Sequence, residues 1–288
     1  MKKFEKYMIV SDMDGTFFGE KALVLQNNLD AIRYFSDNGG VFTFASGRDY
    51  VVLTQFYPEL AKIVSCPAVL CNGSYLYDFQ KNELSYEIGL DQEELLAVTK
   101  QIEQEVPEAT YRISCSLGFL CPPGKPIPFP EHRIEYFSPI TVIDHFIHHK
   151  DILWHKLVYS ANGLKGASAD GLKDVDNNFI PRVTEILRKI ELKNISLTTS
   201  SATLLELMPK GASKGQGLKK LKALYPERKA ICVGDYTNDL DMLQSADIPA
   251  CPENALEEVK SICKIHLCHH RDGCIADLIY KLDSSTKE

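Results

Sequence analysis

The amino-acid sequence predicts an α/β fold: a doubly wound parallel-sheet (Rossmann-like) core with an inserted α+β domain. Three observations carry this expectation. Short apolar runs alternate with stretches of helical spacing over the first 76 residues, and the same alternation returns after residue 205. Between them the rhythm changes to hairpin-like strands and separate helices. Strand–helix–strand alternation is the mark of parallel βαβ units, whose sheet is covered on both faces.

The first strand is Tyr7-Met8-Ile9-Val10-Ser11, an apolar run that stops at a polar, glycine-containing turn. A helix comes next, from about Gln26 to Ser36, with Leu29, Ile32 and Phe35 at helical spacing and Asn38-Gly39-Gly40 as its stop. Val41 to Ala45 is a second strand, closed by Ser46-Gly47-Arg48. After another helix, Ala68 to Cys71 is a third strand, closed by Asn72-Gly73. In the middle segment, strands are expected at Tyr111 to Cys115, Gly118 to Cys121 and His132 to Phe137, with helices at Gln92 to Glu105, Val142 to His149 and Pro181 to Lys189. The proline-rich stretch Cys121 to Pro128 reads as a loop. The last part gives a helix at Ser213 to Leu224, a strand at Ala230 to Val233 and a short helix at Asp239 to Ser245. A strand at Ile248 to Cys251 and a helix at Ala255 to Ile262 complete it. Residues 1–76 and 206–288 are therefore expected to form the core domain, and 77–205 the inserted cap.

A chain of 288 residues is long enough for two domains, and 44% hydrophobic with 25% charged residues is enough for a sizeable core. A net charge of −7 argues against nucleic acid as partner, because such proteins carry a basic face to neutralise phosphates. An anionic ligand must then be held by local positive groups or a metal. No apolar run approaches the roughly 18 to 20 residues that span a bilayer. The apolar stretch behind the basic start Met1-Lys2-Lys3-Phe4-Glu5-Lys6 stops at Asp12, too short for a signal peptide. Nine cysteines scattered without framework spacing fit reduced thiols, and the expectation is a cytoplasmic protein without a membrane partner. Oligomeric state leaves no mark in the residues.

Three polar clusters stand directly behind apolar strands: Asp12-Met13-Asp14-Gly15-Thr16, Ser46-Gly47-Arg48 and Gly234-Asp235-Tyr236-Thr237-Asn238-Asp239. The carboxyl ends of strands in an open parallel sheet share one edge, where ligands bind, so distant clusters can meet there. Asp12 and Asp14 are two carboxylates two residues apart, and like charges so close repel unless a cation lies between them or one is protonated. Mg²⁺ takes oxygen ligands and is held by one or two carboxylates plus a substrate phosphate, and Asp235 offers a further carboxylate from the far strand. One carboxylate can attack phosphorus, and the other can serve as acid and then base. The charge on the transferring group calls for donors around it, a role that suits Ser46, the Gly47 amide and Lys214, which stands behind Lys210-Gly211-Ala212-Ser213 near a helix start.

On these motifs the sequence resembles the haloacid dehalogenase superfamily, specifically the Cof-type sugar-phosphate phosphatases with a large α/β cap. D-x-D-G-T corresponds to Asp12 through Thr16, and the Ser or Thr before Gly-Arg to Ser46-Gly47-Arg48. The lysine of K-G-x-x-K-G corresponds to Lys214, and G-D-x-x-N-D to Gly234 through Asp239. The resemblance spans nearly the whole chain and includes Asn72-Gly73. It implies Asp12 as nucleophile, Asp14 as acid/base, and Mg²⁺ on Asp12, the Asp14 carbonyl and Asp235. Ser46, Gly47, Asn72, Lys214 and Asn238 would contact phosphate or substrate, and Asp239 would orient the metal shell or Lys214. The implied substrate is a small phosphorylated metabolite, a sugar phosphate or a phosphorylated cofactor precursor, over which the cap closes. Two departures stand out: Glu253-Asn254-Ala255 replaces the family's Gly-Asn-Ala, removing the residue that best permits close backbone approach, and Phe17-Phe18 replaces an aliphatic pair.

Other readings stay open on the residues alone. Asp12 and Asp14 can cap a helix, Lys214 can be a solvated lysine, Asp239 an N-cap, and Asn72-Gly73 a hairpin turn. The histidines and cysteines between Cys263 and Cys274, and His145, His148 and His149, lack the tidy pairs of zinc sites. Trp154, Tyr136 and Phe137 read as cap core. A phosphomutase of the same superfamily, and a non-catalytic metabolite-binding or regulatory protein on the same fold, are the functional alternatives.

Overall fold

The computed structural model describes residues 2–123, 140–142, 149–161, 178–201 and 204–285. The chain falls into two compact units, Met1–Glu87 with Ser213–Glu288, and Ile88–Ala212. The first unit opens with β1 (Tyr7–Ser11), α1 (Gln26–Asp37), β2 (Val41–Phe44), α2 (Tyr50–Phe56), α3 (Pro58–Ile63), β3 (Ala68–Leu70), β4 (Tyr75–Asp78) and β5 (Glu83–Glu87). The second unit holds α4 (Gln92–Glu105), β6 (Tyr111–Cys115), β7 (Gly118–Cys121), β8 (Ile140–Val142), β9 (Trp154–Ser160), α5 (Phe179–Arg188), β10 (Ile195–Ser201) and β11 (Leu204–Pro209). The chain returns to the first unit with α6 (Lys214–Leu224), β12 (Lys229–Val233), α7 (Leu240–Ser245), β13 (Ile248–Pro252), α8 (Glu257–Ile262), β14 (Ile265–Leu267) and α9 (Cys274–Ser285).

In the first unit the strands lie in the order β14-β13-β12-β1-β2, every neighbouring pair parallel. A parallel bridge from Ala45 to Val69 links β3 to this sheet. From β1 the chain winds one way through β2 and, after its return, the other way through β12, β13 and β14. The switch of direction falls between β1 and β12, the place where open α/β sheets bind ligands. One face packs Leu29, Ile32 and Phe35 of α1 with Ile275, Leu278 and Ile279 of α9 against Phe42, Phe44 and Ile231. On the other face Leu218 and Leu221 of α6, Met242 of α7 and Val259 of α8 cover Met8, Val10 and Cys232. Apolar contact on both faces explains why β1 and β12 read as unbroken apolar runs rather than alternating ones.

Several expectations shift. The helix after Arg48 is two, α2 and α3, because Pro58 cannot continue α2 and instead begins α3. β4 and β5 form a hairpin on β3 and belong to the first unit, so the first division of the chain comes after Glu87 rather than residue 76, and the second after Ala212. α8 begins at Glu257 rather than Ala255, because Pro252–Ala255 forms a turn closed by the Ala255 amide on the Pro252 carbonyl. Val142 ends a strand, β8, which pairs parallel with β7, rather than starting a helix. The expected strand at His132 to Phe137, with Tyr136 and Phe137, lies outside the described residues, as do residues 143–148, with His145 and His148, and the loop beyond Pro123.

The second unit is built on a sheet in the order β10-β11-β9-β6-β7-β8, antiparallel except for β7 with β8. Its core gathers Leu95 and Ile102 of α4 and Val183 and Leu187 of α5 over Tyr111, Ile113, Leu157 and Leu207. Trp154 is fully buried there, as expected of a core residue. A buried ion pair, Lys156 with Glu206 at 2.8 Å, joins β9 and β11 within this unit.

Candidate active site

β1 and β12 pair in register, Ser11 opposite Val233, so Asp12 and Asp235 leave the sheet side by side at its carboxyl edge. The Asp12 amide still donates to the Val233 carbonyl at 2.8 Å, which fixes the direction in which Asp12 departs. Ser46 comes after β2 on the other side of β1, its amide donating to the Val69 carbonyl at 2.8 Å. Lys214 is the first residue of α6, whose N-cap Ser213 accepts from the Gln216 amide at 3.1 Å. The parallel sheet has thus brought groups more than 200 positions apart to one edge.

Lys214 is the centre of the arrangement. Its ammonium, 1% exposed, donates to Asp12 Oδ1 at 2.5 Å and to Asp239 Oδ1 at 2.7 Å. Burial alone would lower its affinity for a proton, but the charges of Asp12 and Asp239 outweigh this and raise it. Asp239 is itself fixed, its Oδ2 accepting from the amides of Asp235 at 3.0 Å and Tyr236 at 3.2 Å. Asp235 Oδ1 accepts from the Thr16 hydroxyl at 3.0 Å.

Carboxylate oxygens of Asp12, Asp235 and Asp239 lie within 4.8 Å of one another. Three carboxylates face a single ammonium, so the cluster is short of positive charge. The consequence is visible in both acids: burial first, opposed by Lys214 and reinforced by Asp239, Asp235 and Asp14, pushes Asp12 well above the usual carboxylate range. Burial and then Asp239 push Asp235 up to about 7. An oxygen-only, negatively charged, partly desolvated cluster fits a hard divalent cation such as Mg²⁺. Among the described residues no histidine–cysteine cluster gathers in this way, and the cysteines there are free thiols.

The carboxylate of Asp14 stands apart from this cluster. Arg48 holds it with both arms, Nε to Oδ2 at 2.8 Å and Nη2 to Oδ1 at 2.7 Å. The same guanidinium lies over the rings of Phe18 and Tyr57, 5.2 and 5.6 Å from their centroids. The Phe17-Phe18 departure thus has a local sense: Phe18 builds the aromatic seat of Arg48, and Phe17 packs edge-on against Phe44 in the core. The Arg48 amide donates to Ser46 Oγ at 3.1 Å. The role of Arg48 is not legible in the sequence beyond its place in the Ser46-Gly47-Arg48 cluster.

Asn72 and Asn238 meet, Nδ2 of Asn238 donating to Oδ1 of Asn72 at 3.2 Å, and Gly47 lies against the Asn72 side chain. Asn72-Gly73 is also the turn between antiparallel β3 and β4, as the hairpin reading expects. Two glycines are required by the close packing here. Gly15 has φ +81°, and a Cβ on it would lie 2.4 Å from Asp235 Oδ2; Gly73 has φ +88°, and a Cβ on it would lie 2.0 Å from the Ser213 carbonyl oxygen. Beyond the Glu253 departure, the Leu256 amide donates to the Asp235 carbonyl at 3.0 Å, and Glu253 itself is exposed.

The parallel sheet thus gathers aspartates, a serine and a buried lysine at the edge of its switch point. Residues 9–279 match the model of one family, the haloacid dehalogenase-like hydrolases, and the chain belongs to it. The class of enzyme is a phosphoric monoester hydrolase. The chain is 24% identical over 265 residues to the 5-amino-6-(5-phospho-D-ribitylamino)uracil phosphatase YitU of Bacillus subtilis, covering 89% of this chain and 90% of that protein. It is 21% identical over 283 residues to the pyridoxal phosphate phosphatase YbhA of Escherichia coli, covering 95% and 97%. Its fold superposes on the crystal structure of SMU.1108c from Streptococcus mutans with a TM-score of 0.79 at 19% identity, over 96% of this chain and 98% of that one. Among the described residues no helix is long and apolar enough to cross a membrane.

Proposed function

We propose that this chain is a Mg²⁺-dependent phosphatase that hydrolyses a small phosphomonoester, a sugar phosphate or similar metabolite, by way of an aspartyl-phosphate on Asp12. The observation that carries the reading is the buried Lys214 ammonium between Asp12 and Asp239, beside the Asp235 carboxylate. A helix cap or a folding contact has no use for three desolvated carboxylates that repel one another. A metabolite-binding module has no use for them either.

In this reading an Asp12 oxygen attacks phosphorus, the ester P–O bond breaks, and Asp14, released from Arg48 and carrying a proton taken from solvent, gives that proton to the departing oxygen. Asp14 then takes a proton from water, which attacks the phosphorus on Asp12 and releases inorganic phosphate, restoring the free carboxylate. Lys214, Ser46, the Gly47 amide and Asn238, with Asn72 behind it, surround the equatorial oxygens and stabilise the charge that develops there. Asp12, the Asp14 carbonyl and Asp235, with Asp239 behind them, would hold Mg²⁺, which when bound would supply the neutralising charge. The named substrates of the two bacterial relatives, a phosphoribitylamino-uracil and pyridoxal phosphate, are small phosphate monoesters, which supports the substrate class.

The test is hydrolysis of p-nitrophenyl phosphate with detection of free phosphate. Asp12→Asn is expected to abolish turnover while leaving the protein folded. EDTA is expected to abolish turnover of the wild type, and Mg²⁺ to restore it. Undiminished turnover in EDTA, or in the Asp12→Asn variant, would sink the mechanism, and return of the phosphoryl group to substrate without free phosphate would mark a mutase.

A further inference from the structure

The backbone of the Asp12 loop is held in an unusual way. Four consecutive carbonyls, those of Gly15, Thr16, Phe17 and Phe18, each accept from a different side chain. Asn254 Nδ2 donates to Gly15 at 2.8 Å, Cys274 Sγ to Thr16 at 3.1 Å, and Asn28 Nδ2 to Phe17 at 2.9 Å. The His270 ring nitrogen Nδ1 meets the Phe18 carbonyl at 2.6 Å.

These side chains are themselves held. Asn254 Oδ1 accepts from the His270 amide at 3.1 Å, and Asn28 Oδ1 accepts from the Ala276 amide at 3.0 Å. Asn254 also sits in the turn whose Leu256 amide holds the Asp235 carbonyl. One short turn therefore grips both loops that carry the carboxylate cluster, through Gly15 on one side and Asp235 on the other. Carbonyls in a loop that turns away from the sheet have no ladder partner, and each must find a donor when buried. A row of four donors, from α1, the Asn254 turn and the segment leading into α9, fixes the path of the main chain peptide by peptide.

We infer that Asn254 is a positioning residue for the phosphatase reaction, holding the Gly15–Thr16 peptide, and with it the adjacent Asp14 carbonyl, against Asp235, with His270, Cys274 and Asn28 completing the row. The inference rests on the proposed reading of Asp12, Asp14 and Asp235 as the reacting and metal-holding groups. Its physical basis is that a carbonyl and a carboxylate grip one cation well only when both are held in place, and the Asp14 carbonyl is the neighbour of the one that Asn254 binds.

The experiment compares full-length wild type with Asn254→Asp and Asn254→Ala. Asn254→Asp keeps the acceptor for the His270 amide but offers no N–H to Gly15. Both variants are expected to lower kcat for p-nitrophenyl phosphate and to weaken Mg²⁺ binding, measured by calorimetry with Mg²⁺ alone, by about ten- to a hundredfold. KM is expected to stay within about threefold, because the substrate's own contacts are untouched. Variants that fold with wild-type kcat and wild-type Mg²⁺ affinity would overturn the inference. So would a loss of activity matched by the loss of folded protein, since that is what a merely structural contact gives. If the wild type proves to have no phosphatase turnover, the proposed function falls by itself. The calorimetric comparison then still decides the positioning role, with equal Mg²⁺ affinity in all three proteins counting against it.

Discussion

Arg48 and Asp14 form a two-armed ion pair across the edge of the sheet, with contacts of 2.8 and 2.7 Å, and the guanidinium is seated on the rings of Phe18 and Tyr57. A planar fork on a planar carboxylate fixes orientation as well as charge. A lysine keeps the charge and loses both the second contact and the seat. Arg48→Lys is therefore expected to lower kcat for p-nitrophenyl phosphate about tenfold, and Arg48→Ala further, with little change in the melting temperature. Steady-state kinetics beside a thermal melt checks this, and an Arg48→Lys variant as fast as wild type would count against any role for the orientation.

On the proposed metal site, the Asp235 carboxyl would tie activity to pH. In the metal-free protein burial and Asp239 raise it to about 7, against roughly 3.9 for a free aspartate. Between those values the folded protein binds more protons than the unfolded one. The stability this group contributes is thus present at low pH and declines as pH rises toward about 7. Metal-free wild type should accordingly lose melting temperature over that interval more steeply than Asp235→Asn. Mg²⁺ needs the ionised carboxylate, so its binding near neutral pH should release on the order of one proton. Calorimetry in buffers of different ionisation enthalpy measures that number, and a value near zero would contradict the assignment.

Gly73 supports Lys214 from across the sheet edge. With φ +88° and no room beside the Ser213 carbonyl, it admits no side chain. Gly73→Ala is expected to cost about 1 to 3 kcal/mol in urea unfolding, and to reduce kcat as well because Ser213 caps the helix that starts with Lys214. A variant with full kcat and full stability would show that the cap can yield without moving the lysine.

In the second unit, Lys156 and Glu206 are 6% and 2% exposed and lie 2.8 Å apart. Lys156→Met removes the ammonium from beside a buried carboxylate, and is expected to destabilise the unit by about 3 to 5 kcal/mol. The double change Lys156→Met with Glu206→Leu should recover most of that loss. Equal losses in the single and double variants would mean that the pair is not coupled.

The sequence made the site legible wherever an apolar strand had to stop. A strand covered on both faces reads as an apolar run, and the residues directly behind it must lie at the sheet's edge, which is why Asp12, Ser46 and Asp235 could be grouped. Arg48 with Asp14 was not legible, because the meeting of residues 34 positions apart depends on the turn after β2. Asn254 stood in a recognised motif, but which carbonyl it binds is a matter of loop path. α9 carries Ile275, Leu278, Ile279 and Leu282 at helical spacing, a pattern masked by the nearby histidines and cysteines. β5 alternates polar and apolar residues over Glu83–Glu87, but the run is only five residues long and largely exposed, and β14, three residues long, is too short to show a pattern.

The interior position of β1 has a consequence for biosynthesis. Its two neighbours, β2 and β12, are reached at residues 41–44 and 229–233, and Lys214 and Asp235 also come after the second unit in the chain. A ribosome that has delivered only the first 212 residues has made a sheet with an open apolar edge along β1 and no ammonium for Asp12. The nascent chain is therefore without its reacting set at that stage, and its β1 edge stays open to other strands until its C-terminal quarter arrives to occupy the gap.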